Sequence, residues 1–141
     1  MSVNKFAAMG SSIIVLVAVA VGLVLSGPPG EQRQKRLDTK RVSDLRNIAR
    51  VMDAHTEDRG ELPAALTDLV DGRRLTRMPA DPVTGIPYRY EIVSATQYKL
   101  CARFDRTSDA TIAIDFWSHG QGEKCYVLDV RKDGEGQGPV F

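Results

Sequence analysis

Apolar and charged positions divide the chain into two unlike parts. Residues 6–26 are 21 uncharged residues rich in Val, Leu and Ile, whereas charged and apolar side chains alternate through residues 31–141. A helix of this length spans about 31 Å, which matches the hydrocarbon core of a bilayer. The pattern predicts a single transmembrane helix over residues 6–26, after a short flank at 1–5. A cleaved signal peptide is the alternative for this segment.

Small residues mark one face of the predicted membrane helix. Ala18, Gly22 and Ser26 fall four residues apart, a spacing that lets a neighbouring helix approach closely. We therefore treat these three residues as the candidate helix-packing surface. The Pro-Pro pair that follows predicts the end of the helix, and residues 27–35 are predicted to be a linker rich in Pro, Gly and charge.

The polar part begins with an amphipathic pattern. Residues 36–58 place apolar side chains at the spacing of one helix face, namely Leu45, Ile48, Ala49 and Met52, extended towards the N-terminus by Leu37 and Val42. This pattern predicts a helix with one buried face. Gly60 is the predicted stop, and Pro63 is the predicted first position of a short second helix that ends near residue 70.

Strand-like segments follow a loop rich in Pro and Gly. Three stretches with aromatic and β-branched residues are predicted strands, at residues 88–93, 97–104 and 124–130, with residues 111–116 as a fourth candidate. The short connections favour antiparallel pairing. A helix followed by antiparallel strands predicts an α+β domain over residues 36–132, followed by a flexible Gly-rich tail over residues 133–141.

Several motifs in this domain match those of a known family. Gly60 and Pro63 form a G-x-x-P step, and a Pro- and Gly-rich loop contains Asp81, Pro82, Gly85, Pro87 and Tyr88. Over roughly residues 37–104 the chain resembles the soluble domain of the major pseudopilin of type II secretion. The resemblance implies a pilin-like fold, in which a long helix packs on a small antiparallel sheet.

A second resemblance is closer. It is to membrane-anchored pilin-like proteins of unassigned function, whose domain ends in a motif matched here by Trp117, His119, Gly122 and Cys125. The chain departs from the prepilin pattern at its start, because Gly10 is followed by Ser11 and Val15 stands where a filament subunit has glutamate. The resemblance therefore implies a fold more than it implies filament assembly.

The two cysteines give evidence on the cellular compartment in which the domain lies. Cys101 and Cys125 lie in predicted strands, and antiparallel pairing would bring them within disulfide range, although two separate buried thiols are the alternative. A disulfide requires an oxidising compartment, which places the domain in the periplasm. Residues 31–50, with seven basic and three acidic side chains, favour the opposite topology by the positive-inside rule. We give the cysteines and the resemblance more weight, since an amphipathic helix needs a charged solvent face in any case.

The chain lacks familiar catalytic motifs. It contains no nucleophile elbow, no phosphate-binding Gly-rich loop and no HExxH motif, and its net charge of +1 gives no basis for nucleic-acid binding. We expect no enzyme activity, no cofactor and no small-molecule substrate. Asp129, Asp133 and Glu135 form a weak calcium candidate, because the pseudopilin relatives bind calcium near their C-terminal strands. A solvated tail is the alternative for these residues.

The sequence thus predicts a non-catalytic, single-pass protein of the bacterial inner membrane. Its anchor would lie in the lipid bilayer, and its periplasmic pilin-like domain would act through contacts with other membrane or envelope proteins. Three alternatives stay open: a filament subunit of a type II secretion or type IV pilus-like system, an accessory subunit of a membrane complex, and a calcium-dependent binding module. A homo-oligomer is compatible with each of them.

Overall fold

The computed structural model describes residues 13–22, 29–109 and 116–130. The chain divides into two compact units, Met1–Gln34 and Lys35–Phe141. In the first unit, residues 13–22 are helical and their side chains are exposed. Within the described ranges, no helix is both long enough and apolar enough to cross a membrane. Residues 6–12 and 23–26 of the predicted transmembrane helix lie outside the described residues.

The long helix α1 comprises Pro29–Arg59. It begins at Pro29 and not at residue 36, so residues 29–35 are helical where the sequence predicted a linker. Proline suits the first position of a helix because its φ is already helical and its missing N–H is not needed there. The predicted stop is confirmed, since Gly60 has a φ of 78° and donates its N–H to Thr56 O at 2.7 Å.

The predicted second helix is a single 3₁₀ turn, Leu66–Leu69. It begins at Leu66 and not at the predicted Pro63, and it ends at Leu69, close to the predicted end near residue 70. Just beyond it, Asp71 Oδ1 accepts the N–H groups of Arg73 and Arg74, each at 2.8 Å. An Asx turn of this kind competes with further helical hydrogen bonds. Leu66 and Leu69 are both buried, so the turn still contributes to the hydrophobic core.

Three strands form one antiparallel sheet in the order β1-β2-β3. The strands are β1, Arg89–Ile92; β2, Gln97–Phe104; and β3, Gly122–Asp129. The antiparallel prediction is confirmed, although β1 is shorter than expected and β3 begins two residues earlier. Of the fourth candidate strand, residues 111–115 lie outside the described part of the chain, and Phe116 is in a turn.

One face of the sheet and one face of α1 share a hydrophobic core. The largest fully buried side chains come from both elements and from the 3₁₀ turn: Leu45, Ile48, Met52, Leu69, Tyr98, Leu100 and Phe104. Burying each side chain of this size contributes about 1.5–3 kcal/mol to folding. The predicted α+β class is therefore confirmed. The opposite face of the sheet carries the two cysteines, which the register places directly across from each other on β2 and β3.

Candidate functional site

A buried arginine joins three segments of the domain. Arg41, on α1, is 4% exposed, and its Nε donates to Asp81 Oδ2 at 2.7 Å. Its Nη1 donates to Asp38 Oδ1 and to Asp105 Oδ2, both at 2.7 Å. We call these four residues the Arg41 cluster. The three carboxylates compensate a guanidinium that would be costly to bury alone.

The Arg41 cluster also holds the chain as it leaves β2. Asp38 accepts the backbone N–H groups of Asp105 and Arg106, at 3.0 Å and 2.9 Å. Burial opposes the charge on Arg41, but the hydrogen bonds with Asp81, Asp105 and Asp38 outweigh burial and raise the pKa of Arg41 above its usual value. The guanidinium of Arg41 is therefore charged at neutral pH.

The motif loop, Asp81–Tyr88, is a closed turn anchored at its first residue. Asp81 Oδ1 accepts the N–H groups of Val83 and Thr84, each at 2.9 Å, and Asp81 N donates to Ile86 O at 2.9 Å. Gly85 has a φ of 70°, a conformation that favours glycine. Burial alone would raise the pKa of Asp81, but the hydrogen bonds from Arg41 and from the two amides lower it to about 2.

The last residue of the motif loop is also bound to α1. Tyr88 is buried, and its hydroxyl donates to Asp44 Oδ2 at 3.1 Å, while Asp44 Oδ1 accepts from Lys40 Nζ. Burial, together with the charge of Asp44, raises the pKa of Tyr88 above its usual value. Both ends of the motif loop are therefore fastened to one helix. Between them, Pro87 forms an isolated bridge with Ala80, and Pro82 lies exposed within the turn.

A cavity of about 250 Å³ lies between the first part of α1 and two loop segments, residues 106–109 and 117–119. We call it the α1 groove. Trp117 and His119 line one side, and Lys35, Val42 and Arg46 line the other. The Arg46 guanidinium carbon lies 5.8 Å from the centre of the Trp117 ring, within the range of a cation–π contact. An ion pair of Lys35 with Asp109 borders the groove.

The two motif side chains of the groove are built into the fold. The His119 ring stacks on Phe104, with ring centres 3.7 Å apart. Its Nδ1 lies 3.1 Å from Arg106 O, and because a carbonyl can only accept, Nδ1 carries the proton. Trp117 packs on Tyr126, with ring centres 4.8 Å apart, and Tyr126 donates its hydroxyl proton to Trp117 O at 3.0 Å. These contacts give both residues a packing role.

The predicted cysteine pairing is confirmed. Cys101 and Cys125 form a disulfide across β2 and β3, on the sheet face opposite the core. Among the described residues, one group of possible metal ligands has its ligand atoms within 4.8 Å of one another, namely Cys101, Glu123 and Cys125. Both sulfurs of that group are oxidised, so they offer no thiolate for a metal such as zinc. The structure thus gives this group a covalent role.

The remaining predicted site residues are dispersed. Ala18 and Gly22 lie on the helical residues 13–22, whereas Ser26 lies outside the described part of the chain. Pro63 is buried, and its carbonyl accepts from the Tyr90 hydroxyl at 2.9 Å.

The calcium candidate is only partly within the described structure. Asp129, at the end of β3, accepts from Gln97 Nε2 at 3.2 Å. Asp133 and Glu135 fall beyond residue 130, the last that the structure describes. The structure thus gives Asp129 a side-chain partner on the neighbouring strand.

The sequence reasoning missed the Arg41 cluster, although a signal for it was present. Asp38 and Arg41 continue the spacing of Leu45 and Ile48 along α1, and both are buried. Leu37 and Val42, which were expected to extend the buried stripe, are only half-buried. Charged residues at the buried spacing of an amphipathic helix indicate a need for partners from elsewhere in the fold.

Ser108 and His119 meet in the α1 groove. Ser108 Oγ accepts from the backbone N–H of His119 at 3.1 Å, which ties two loop segments together. No protein-family model matches the chain, and neither a curated protein nor a solved structure does. The site is therefore interpreted from its own geometry.

Proposed function

We propose that the chain is a non-catalytic, single-pass protein of the bacterial inner membrane, with a pilin-like periplasmic domain that acts through contacts with other envelope proteins. The observation that carries the proposal is the disulfide between Cys101 and Cys125, in a chain whose residues 6–26 carry no charge. Disulfides persist in oxidising compartments such as the periplasm. An uncharged segment of that length is suited to a membrane anchor.

The way the motif loop is held supports the pilin-like part of the proposal. Asp81 and Tyr88, at the two ends of the loop, both bind α1, through Arg41 and Asp44. The residues that carry the family resemblance therefore connect the long helix to the sheet. These contacts support a structural role for the motif in the proposed pilin-like domain.

The structure also supplies a reason to discount the charge count that favours a cytoplasmic domain. Several of the basic residues of α1 have partners within the domain: Lys35 pairs with Asp109, Lys40 with Asp44, and Arg41 with three carboxylates. These charges have a use in the folded domain that is unrelated to topology. The excess of basic residues near the predicted anchor is therefore weaker evidence that the domain lies in the cytoplasm, as the positive-inside rule would predict.

The motif loop offers apolar surface for the proposed contacts. Val83 is 61% exposed and Ile86 is 65% exposed, and both sit on a turn that Asp81 closes by hydrogen bonds. Apolar side chains on a preorganised turn can be buried by a partner at little conformational cost. The loop can therefore contribute to contacts with another envelope protein.

The test is thiol labelling in intact cells with a membrane-impermeant maleimide, with and without prior reduction, followed by intact mass of the full chain. We expect labelling only after reduction, and a mass that retains residues 1–141, apart from loss of Met1. The double variant Cys101→Ser, Cys125→Ser is the matched control and should not be labelled. Labelling only after lysis would place the domain in the cytoplasm and contradict the proposal.

The same mass measurement addresses the filament alternative. A filament subunit processed by prepilin peptidase would lose the residues up to Gly10, and this loss is visible as a shorter chain. An accessory subunit would keep the full chain and co-purify with a membrane complex in mild detergent. A calcium-dependent module would lose thermal stability on addition of a chelator, because a ligand that binds the folded state raises the melting temperature.

A further inference from the structure

The outer face of the sheet places a guanidinium directly against the disulfide. Arg89, on β1, has its Nη2 3.5 Å from Cys101 Sγ and 3.5 Å from Cys125 Sγ. The same side chain binds Glu91 at 3.2 Å through Nε and Glu123 at 3.0 Å through Nη1. These carboxylates, on β1 and β3, hold the guanidinium in position. The arrangement thus presents a fixed cation to both sulfurs.

A cation gives little stabilisation to a neutral disulfide but much to a thiolate. A neighbouring arginine stabilises the ionised form of a cysteine relative to its thiol, and a thiolate is also the leaving group when a disulfide is cleaved. Arg89 therefore favours cleavage of this bond more than an uncharged residue at the same position would. The two sulfurs also differ in access, since Cys101 is 4% exposed whereas Cys125 is partly exposed.

We propose that the Cys101–Cys125 pair is a thiol–disulfide exchange site for a dithiol, with Arg89 as the counter-ion of the Cys101 thiolate that leaves. The proposal goes beyond the proposed function, because it assigns the domain a redox chemistry that contacts with partners do not require. It does not depend on which envelope protein the domain binds.

The exchange proceeds in two balanced steps. A thiolate of the dithiol attacks Cys125 Sγ, a new S–S bond forms, the Cys101–Cys125 bond breaks, and its electron pair leaves on Cys101 Sγ beside Arg89. The second sulfur of the dithiol, as a thiolate, then attacks the first sulfur, which is bonded to Cys125 in the mixed disulfide. This step closes the disulfide of the reagent and releases Cys125 as a thiolate. The dithiol loses two electrons and becomes a disulfide, the cysteine pair gains them, and two protons pass from the dithiol to the pair.

Charges of both signs surround the sulfurs on this face, and a carboxylate oxygen of Glu123 lies within 4.8 Å of both sulfurs, whereas Arg89 Nη2 is closer, at 3.5 Å. Lys99 and Arg103 flank Cys101 on β2, and Lys99 Nζ lies 4.0 Å from Glu91. The outer face of the sheet thus carries three cations, Arg89, Lys99 and Arg103. It also carries the two carboxylates that bind Arg89. Asp129 is four residues from Cys125, about 13 Å along the strand, and it binds Gln97.

The test measures the redox equilibrium of the purified full chain in detergent micelles. The protein is equilibrated with mixtures of reduced and oxidised dithiothreitol at pH 9, quenched in acid and alkylated, and the fraction reduced is read from intact mass. We expect Arg89→Gln to need a five- to tenfold higher ratio of reduced to oxidised dithiothreitol for half-reduction, about the effect of one pKa unit on a thiolate. Arg103→Gln, on the same face without a contact to the sulfurs, should change the ratio less than twofold.

Two further comparisons separate the proposed role from a merely structural one. At pH 6, well below the usual thiol pKa of about 8.5, wild type and Arg89→Gln should agree within twofold. Arg89→Lys, which keeps the charge, should recover most of the wild-type ratio at pH 9. Equal ratios for Arg89→Gln and Arg103→Gln, or a shift of the same size at both pH values, would overturn the proposal.

The assignment of the attacked sulfur has its own test. Cys101→Ser leaves Cys125 as the free thiol, and Cys125→Ser leaves Cys101. At a fixed pH we expect the free thiol of Cys101→Ser to react faster with a disulfide reagent such as dithionitrobenzoate. Faster reaction of Cys125→Ser would overturn the assignment. Because all these measurements use purified protein, they are independent of the side of the membrane on which the domain lies.

Discussion

Two arginines of this domain show how burial changes what an ion pair does. Arg41 and Arg89 each bind carboxylates from more than one element, but the Arg41 side chain is 5% exposed whereas that of Arg89 is 55% exposed. Arg41 meets three carboxylates between α1 and the loops. Arg89 meets two, and two sulfurs, on the open face of the sheet.

The difference follows from solvation. A buried charge that loses its partner keeps its desolvation cost, whereas an exposed charge that loses its partner regains water. We therefore expect the Arg41 cluster to determine whether the domain folds. Around Arg89 we expect little effect on folding and a larger effect on the chemistry of the sulfurs beside it. The following substitutions test that contrast.

The largest expected effect is that of Arg41→Gln. It leaves Asp38 and Asp81 without their cation, and we expect the free energy of unfolding to fall by about 3–5 kcal/mol. Urea denaturation followed by circular dichroism measures this loss. Arg89→Gln is the control and should change the free energy of unfolding by less than about 0.5 kcal/mol. Similar losses for the two variants would remove the contrast.

Removal of the disulfide ranks next. Cys101 and Cys125 are 24 residues apart in sequence, and in the chain-entropy model closing such a loop contributes about 3.5 kcal/mol. We expect the double variant Cys101→Ser, Cys125→Ser to unfold at a correspondingly lower urea concentration in an oxidising buffer. In reducing buffer, wild type and variant should converge. A variant as stable as the oxidised wild type would contradict this expectation.

Two tyrosine variants compare a hydrogen bond to a charged acceptor with a hydrogen bond to a neutral acceptor. Tyr88→Phe removes the donor to Asp44 and should cost about 2 kcal/mol, since hydrogen bonds to charged groups contribute about 1.5–3 kcal/mol. Tyr90→Phe removes the bond to Pro63 O and should cost about 1 kcal/mol. Thermal unfolding of both variants gives the comparison. A larger loss for Tyr90→Phe would show that Asp44 gains little from Tyr88.

The smallest expected effect is the loss of stability when Asp81 is protonated in acid. The pKa of Asp81 is lowered to about 2, so its contribution to stability is complete above the unfolded-state value near 4 and is lost as the pH falls towards 2. Allowing for solvent screening, we expect about 1 kcal/mol from this group. In Asp81→Asn, the free energy of unfolding should fall less steeply between pH 4 and pH 2. An unchanged slope would mean that other carboxylates account for the acid sensitivity.

The parts of the fold that sequence reasoning predicted depend on local periodicity. The buried face of α1 around Leu45 and Met52 repeats at the helical period, and β2 was predicted with its observed limits, Gln97–Phe104. The pairing of Cys101 with Cys125 followed because short connections favour antiparallel neighbours. Each of these features is encoded within a few residues, or between adjacent strands.

The features that sequence reasoning did not predict depend on partners that are distant in the sequence. Asp81 and Asp105 are 40 and 64 residues from Arg41, and no local pattern shows that they meet. The start of α1 was misplaced because proline is compatible both with the first turn of a helix and with a linker. Arg89 has an ordinary place on an exposed strand, and only the strand register brings it to the sulfurs.

The cross-strand disulfide also closes residues 101–125 into a covalent ring. Every peptide bond between Cys101 and Cys125 lies within that ring, which includes the side of the α1 groove that Trp117 and His119 line. A protease that cleaves there once therefore opens the ring without separating the chain into two molecules. Both halves of the sheet stay linked, and the nicked domain comes apart only when the sulfur–sulfur bond is broken as well.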